Sequence, residues 1–241
     1  MPDPSDPLVL LPGMNCSAAL WDAVLPGLPA AVHVVHGRLE QPTIDGCVDD
    51  LLDQLPSRFA LAGLSLGGIV AMALIRRAPE RVTRLCLLAT NARAPTAAQL
   101  TGWQEEHRRL AAGETARQLQ RDLLPVLTAH RTAALDEAIC AMADDIGDQI
   151  LDTQLAAQAT RIDERPALHR VAVPTLVLAA ADDALCPVDR HREISAAVPG
   201  SRLQILPDIG HLSPLEAPGL ISAAVVRWLN RRGSRPGSAP E

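Results

Sequence analysis

The chain has 241 residues, 22 basic against 28 acidic side chains and a net charge of −6, a balance that argues against nucleic acid or an anionic membrane as the main partner. Apolar residues make up 48% of it and charged residues 21%, the profile of an ordinary globular protein with enough chain for one sizeable core. Lysine and tyrosine are absent and Phe59 is the one phenylalanine, which excludes a Schiff-base lysine and a Walker-type phosphate loop and leaves any pocket to aliphatic side chains and a few tryptophans.

Asp3 and Asp6, with no basic residue among positions 1–10, do not fit a signal peptide. Apolar runs such as residues 69–75 are far too short to span a bilayer. Residues 8–11 and 32–35 read as buried strands, as do 59–62 and 85–89, with helical patterns near 18–25, 43–55 and 66–78 between them. The helix over 66–78 should end near Pro79, whose ring cannot continue the hydrogen-bond ladder. Strand and helix alternating at this spacing predict an α/β protein with a mostly parallel sheet covered on both faces.

From 93 to 165 the strand-like runs vanish, and stripes such as Leu135, Ile139, Met142, Ile146 and Ile150 predict three or four inserted helices. Leu100, Trp103, His107 and Leu110 form a second stripe. Alternation then resumes with a strand over 175–179, a helix over 188–198, a strand over 203–206 and a helix over 218–231. The expected organisation is an α/β core over 1–92 and 166–232, an inserted helical unit over 93–165, and a disordered Pro/Gly-rich tail over 233–241. Cys16, Cys47, Cys86, Cys140 and Cys186 form no Cys-x-x-Cys pair. Neither a zinc site nor a disulfide framework is expected, and a reducing compartment, the cytoplasm, fits best.

The candidate for chemistry is Ser65, in Gly63-Leu64-Ser65-Leu66-Gly67 between an apolar strand and a helix. A serine on such a turn stands at the sheet edge with its hydroxyl exposed, flanking glycines let strand and helix approach, and the helix N-terminus favours developing negative charge. Its hydroxyl needs a base oriented by a carboxylate. Of seven histidines, His33, His36, His107, His130, His169 and His191 read as packed or solvated, whereas His211 follows Gly210 in a loop directly after the last strand. Loops at the carboxyl ends of parallel strands are where ligands meet such a sheet. Asp182 and Asp183 follow the strand over 175–179, and either could orient His211. Oxyanion donors are expected from the Leu66 N–H and from the Met14 N–H, with Gly13 permitting the turn that aims the latter.

These residues carry a resemblance. LVLLPGMN and SAALWD, FALAGLSLGG and APERV, PTLVLAAADDALCP, and GHLSPLEAP together resemble the α/β-hydrolase superfamily over nearly the whole chain, and within it small bacterial esterase-like and enol-lactonase-like members. The resemblance implies the acid four residues before Pro187, which is Asp183, completing the order Ser65, Asp183, His211. It makes the insertion a helical cap over the active site. The chain departs from the pattern with Pro12-Gly13 where many relatives have His-Gly, with Ala180 in place of a glycine, and in starting at the strand that feeds the oxyanion loop. The last departure implies loss of the family's first hairpin and a sheet of about six strands. The implied activity is serine hydrolysis of a carboxylic ester or lactone, without metal or cofactor, on a small-molecule substrate. Carbon–carbon bond hydrolysis, thioester hydrolysis, perhydrolysis and receptor-like binding are the alternatives on the same machinery.

Overall fold

The computed structural model describes residues 6–231; the tail expected over 233–241 lies outside them. Six strands form one sheet: β1 (Leu8–Leu11), β2 (Val34–His36), β3 (Phe59–Leu64), β4 (Val82–Leu88), β5 (Thr175–Ala180) and β6 (Arg202–Leu206). All pair in parallel, in the order β2-β1-β3-β4-β5-β6. Because β1 sits between β2 and β3, the chain leaves it in one direction and returns to its other side. The loops after β1 and β3 therefore meet at the crevice where the winding reverses.

Successive side chains of a strand face opposite sides, so a sheet buried on both sides needs two apolar layers. Val9, Leu11, Leu61, Leu85, Leu87 and Val177 pack under α1 (Ile44–Gln54), α2 (Leu66–Arg77) and α8 (Val188–Ala197). Leu8, Leu10, Ala60, Ala62, Cys86 and Leu178 pack under Trp21 and under Ile221, Val225 and Trp228 of α10 (Pro218–Leu229). The expected helix near 18–25 is instead two 3₁₀ turns, Ala18–Trp21 and Leu25–Gly27; Pro26 and Gly27 leave too little uninterrupted chain for an α-helix. The second strand is shorter and later than 32–35. It lies at the sheet edge with β1 as its one partner, and the turn closing Val32 N–H onto the Pro29 carbonyl occupies its expected start.

Between β4 and β5 the chain forms α3 (Ala97–Ala111), α4 (Ala116–Leu127), α5 (Ala133–Ile146), α6 (Asp148–Ala159) and the short α7 (Arg165–Leu168). Thr96 and Thr115 start α3 and α4 with capping boxes, and Thr132 caps α5. Leu124, Leu127, Ile139 and Met142 join the α10 side of the core, while Ala116, Leu119, Ala143, Leu151 and Leu155 form a small core among these helices. A last short helix, α9 (Ser213–Glu216), precedes α10. No helix among the described residues is long and apolar enough to cross a membrane.

Candidate active site

Ser65 stands between β3 and α2 with φ 55° and ψ −114°, a region non-glycine residues rarely adopt and which costs about 1–3 kcal/mol. Its surroundings fix that conformation. The Ser65 N–H donates to the Leu88 carbonyl at 3.0 Å, and the Ser65 carbonyl accepts from Thr90 Oγ1 at 2.8 Å and from the Ile69 N–H at 3.1 Å. The flanking glycines make the approach possible. A Cβ on Gly63 would sit 2.3 Å from the Gly67 carbonyl oxygen, and one on Gly67 would sit 2.5 Å from that of Leu11. Ser65 Oγ makes no protein hydrogen bond among the described residues and borders a cavity of about 160 Å³, which His211 also lines.

Asp183, in the loop after β5, and His211, in the loop after β6, are each 3% exposed. His211 Nδ1 lies 3.0 and 2.9 Å from the two Asp183 oxygens. Asp183 Oδ1 also accepts from the N–H groups of Leu185 at 2.9 Å and Cys186 at 2.8 Å. Burial pushes this carboxyl up, but the facing His211 ring and the two N–H donors more than offset it and hold it below the ordinary carboxylate range. Asp182 is exposed and makes no contact with the ring; its backbone N–H donates to the Ile209 carbonyl. The two adjacent acids are thus separated by position.

The His211 loop is clamped by Glu216, whose carboxylate accepts from the N–H groups of Gly210 at 2.9 Å, Ala129 at 2.8 Å and His130 at 3.2 Å. Gly210 is pressed against this α4–α5 connection, where a Cβ would meet the Ala129 nitrogen at 2.5 Å. Glu216 lies in the quoted motif at 210–218, so its signal was present in the sequence without its function being read.

In the β1 loop, the residue with positive φ is Asn15, at 56°. Asn is among the few non-glycine residues that visit that region routinely, and here its side chain is held by long-range partners. Gly13 serves close approach instead: a Cβ there would lie 3.1 Å from Leu64 Cδ2 and 3.5 Å from Ser65 Cβ. Asn15 ties the loop to the inserted helices. Its N–H donates to Gln154 Oε1 at 2.8 Å, and its Nδ2 donates to Gln120 Oε1 at 2.8 Å and to the Ala116 carbonyl at 3.1 Å. The N–H groups of Met14 and Leu66 have no protein acceptor among the described residues.

Further residues, which the sequence did not single out for the chemistry, also belong here. His191 is fully buried rather than on the surface, and its Nε2 accepts from the Thr90 N–H at 3.1 Å. It therefore stands behind the threonine that holds the Ser65 carbonyl. Burial lowers its pKa from the ordinary histidine value, with the Pro187 carbonyl and Asp183 opposing the effect. Trp103 lines the cavity and stacks on Arg161, whose Cζ is 5.2 Å from the ring centroid. Of the other histidines, His107 pairs with Asp152 on the surface.

Asp183, Cys186 and His211 offer atoms within 4.8 Å of one another that could ligate a metal. The Asp183 oxygens already accept from the ring and two N–H groups, and burial with the Asp183 charge pushes the Cys186 thiol up to about 12. A protonated thiol is a poor ligand and a poor nucleophile. The arrangement suits proton transfer at an imidazole better than metal ligation.

Residues 8–224 match the model of the Alpha/beta hydrolase family. A pimeloyl-(acyl-carrier protein) methyl ester esterase of Aromatoleum aromaticum is 32% identical over 237 residues, covering 88% of this chain and 93% of that protein. A malate-bound thermophilic esterase from Thermogutta terrifontis superposes over 93% of this chain and 89% of its own, with a TM-score of 0.85 at 25% identity. The enol-lactonase from Burkholderia xenovorans LB400 does so over 94% and 92%, with a TM-score of 0.79 at 25% identity.

Proposed function

Given that the chain belongs to the Alpha/beta hydrolase family, we propose that it is a serine hydrolase that cleaves a carboxylic ester or lactone through an acyl-enzyme. The observation that carries this reading is the pairing of His211 with buried Asp183, at 2.9 and 3.0 Å, where His211 lines the cavity that strained Ser65 also borders. Esterase relatives and a solved enol-lactonase support ester or lactone chemistry.

In this mechanism the Asp183 carboxylate keeps the His211 proton on Nδ1 and leaves Nε2 free to accept. Ser65 Oγ attacks the substrate carbonyl as its proton passes to Nε2, and the carbonyl oxygen takes up the negative charge. The N–H groups of Met14 and Leu66, lacking protein acceptors, stabilise that oxyanion. Collapse expels the alcohol, which leaves with the Nε2 proton. Water then adds by the same steps and releases the acid, restoring Ser65. In a lactone the alcohol stays attached to the acyl group. The inserted segment between β4 and β5, which supplies Trp103, Gln120, Leu123 and Arg161 to the cavity wall, acts as the cap that selects the substrate.

Ser65→Ala should lower turnover of p-nitrophenyl acetate by roughly 10³-fold or more, and the wild-type burst of p-nitrophenol should disappear. Near-wild-type turnover in that variant would overturn the reading.

A further inference from the structure

One side chain in the cavity has no part in this chemistry. Arg161, just after α6, lines the cavity while only 6% exposed. Taking a guanidinium out of water is costly, and proteins ordinarily offset the cost with a carboxylate. Here its acceptors are two neutral amides: Nη1 donates to Gln158 Oε1 at 3.1 Å and Nη2 to Gln99 Oε1 at 2.9 Å. Nε–H is buried without any acceptor. Of five N–H donors, these two hydrogen bonds leave three unused. The neighbouring acids are engaged elsewhere, Glu164 with Arg76 at 2.8 Å and Asp163 with Arg165 at 2.5 Å. No Asp or Glu lines the cavity. Trp103 presents its ring to the cation from one side, which eases desolvation without neutralising the charge.

We propose that Arg161 receives a carboxylate carried by the substrate, so that the ester or lactone cleaved at Ser65 bears a second, free carboxylate away from the scissile carbonyl. This rests on the hydrolase reading above and deepens it. A buried, uncompensated cation in a chain of net charge −6 makes the cavity locally electropositive. A planar fork with spare donors matches a carboxylate in shape as well as charge. The volume, about 160 Å³, is close to that of a cavity that admits benzene. It suits the acyl part of a short dicarboxylic acid better than a long fatty chain.

The test compares monomethyl glutarate with its neutral primary-amide analogue, and likewise for succinate and adipate, in wild-type and Arg161→Met protein. The wild type should favour an acid over its amide by about 10- to 100-fold in kcat/KM, the discrimination expected of one desolvated charge-assisted pair. Arg161→Met should bring that ratio to about 1 or below. A wild-type ratio near 1 throughout the series, or an unchanged ratio in the variant, would overturn the proposal. Where the variant does not fold, the wild type decides alone: glutarate should inhibit p-nitrophenyl acetate hydrolysis competitively and glutaramide should not, and equal effects overturn the proposal. Failure of the hydrolase reading looks different, as the absence of any Ser65-dependent turnover. The anion site is then read separately, since glutarate should raise the Tm of Ser65→Ala protein and not that of the Ser65→Ala, Arg161→Met double variant.

Discussion

Replacing Asp183 by Asn removes one charge and changes a single oxygen to nitrogen. Asp183 Oδ1 accepts the N–H groups of Leu185 and Cys186 at 2.9 and 2.8 Å as well as facing the His211 ring, while Oδ2 faces the ring alone at 2.9 Å. The amide oxygen of Asn must therefore keep the two backbone donors, which turns its NH₂ toward Nδ1. Two donors cannot share that gap, so the ring proton moves to Nε2 and the imidazole loses the lone pair that would take the Ser65 proton. The expected loss is about 10⁴-fold in kcat, or about 5 kcal/mol in the barrier. Exposed Asp182, whose side chain makes no contact with the ring, should tolerate Asn with a change of about twofold or less. Steady-state p-nitrophenyl acetate kinetics on both variants, with circular dichroism to verify folding, form the assay. An Asp183→Asn enzyme within about tenfold of wild type, or a larger loss at Asp182, would refute the assignment.

Two further outcomes concern the scaffold. Gly63→Ala would drive a Cβ to 2.3 Å from the Gly67 oxygen and 2.7 Å from the Gly68 nitrogen. These are backbone atoms that cannot turn aside, so the variant should lose about 3 kcal/mol or more in urea unfolding, and a loss below about 1 kcal/mol would show that the turn can relax. His191 is buried neutral with its pKa below the ordinary 6.5, so the unfolded chain takes up a proton first as pH falls. Its contribution is complete above pH 6.5 and is lost progressively on acidification below it. His191→Gln, whose amide oxygen can still accept from Thr90, should show a smaller fall in Tm between neutral and mildly acid pH than wild type. Equal slopes in the two proteins would count against this.

β1, β3, β4 and β5 were legible because each is a largely apolar run buried on both faces, a pattern that survives any choice of neighbours. Of the two edges, β6 was found from its apolar residues although half-exposed, whereas the limits of β2 were not, since it rests on one partner and they depend on a turn at Pro29 rather than on its own side chains. Ser65 and His211 were singled out because each sits where its own strand ends, whereas that position offered Asp182 and Asp183 alike and the choice of Asp183 came from the resemblance. Arg161, Thr90 and Gln99 were not, because they converge from separate elements and no local pattern marks them. His191 is an instructive middle case. Its charged neighbours Asp189, Arg190 and Arg192 suggested a surface position, yet His191, Ile194 and Val198 are spaced three and four apart and are all buried. The helical period carried the signal that composition concealed.

The tethering of Asn15 has a consequence for how substrate gets in. Three hydrogen bonds, to Gln154, Gln120 and Ala116, bind the loop that carries Met14 to α4 and α6. At about 1 kcal/mol each, they resist a separation of those helices from the sheet edge by about 3 kcal/mol. Any breathing of the insertion wide enough to break them also frees the Met14 N–H from its fixed position. In the proposed mechanism, where Met14 N–H is an oxyanion donor, a substrate that entered by such a separation would meet that donor in place only after the insertion had closed back onto the β1 loop.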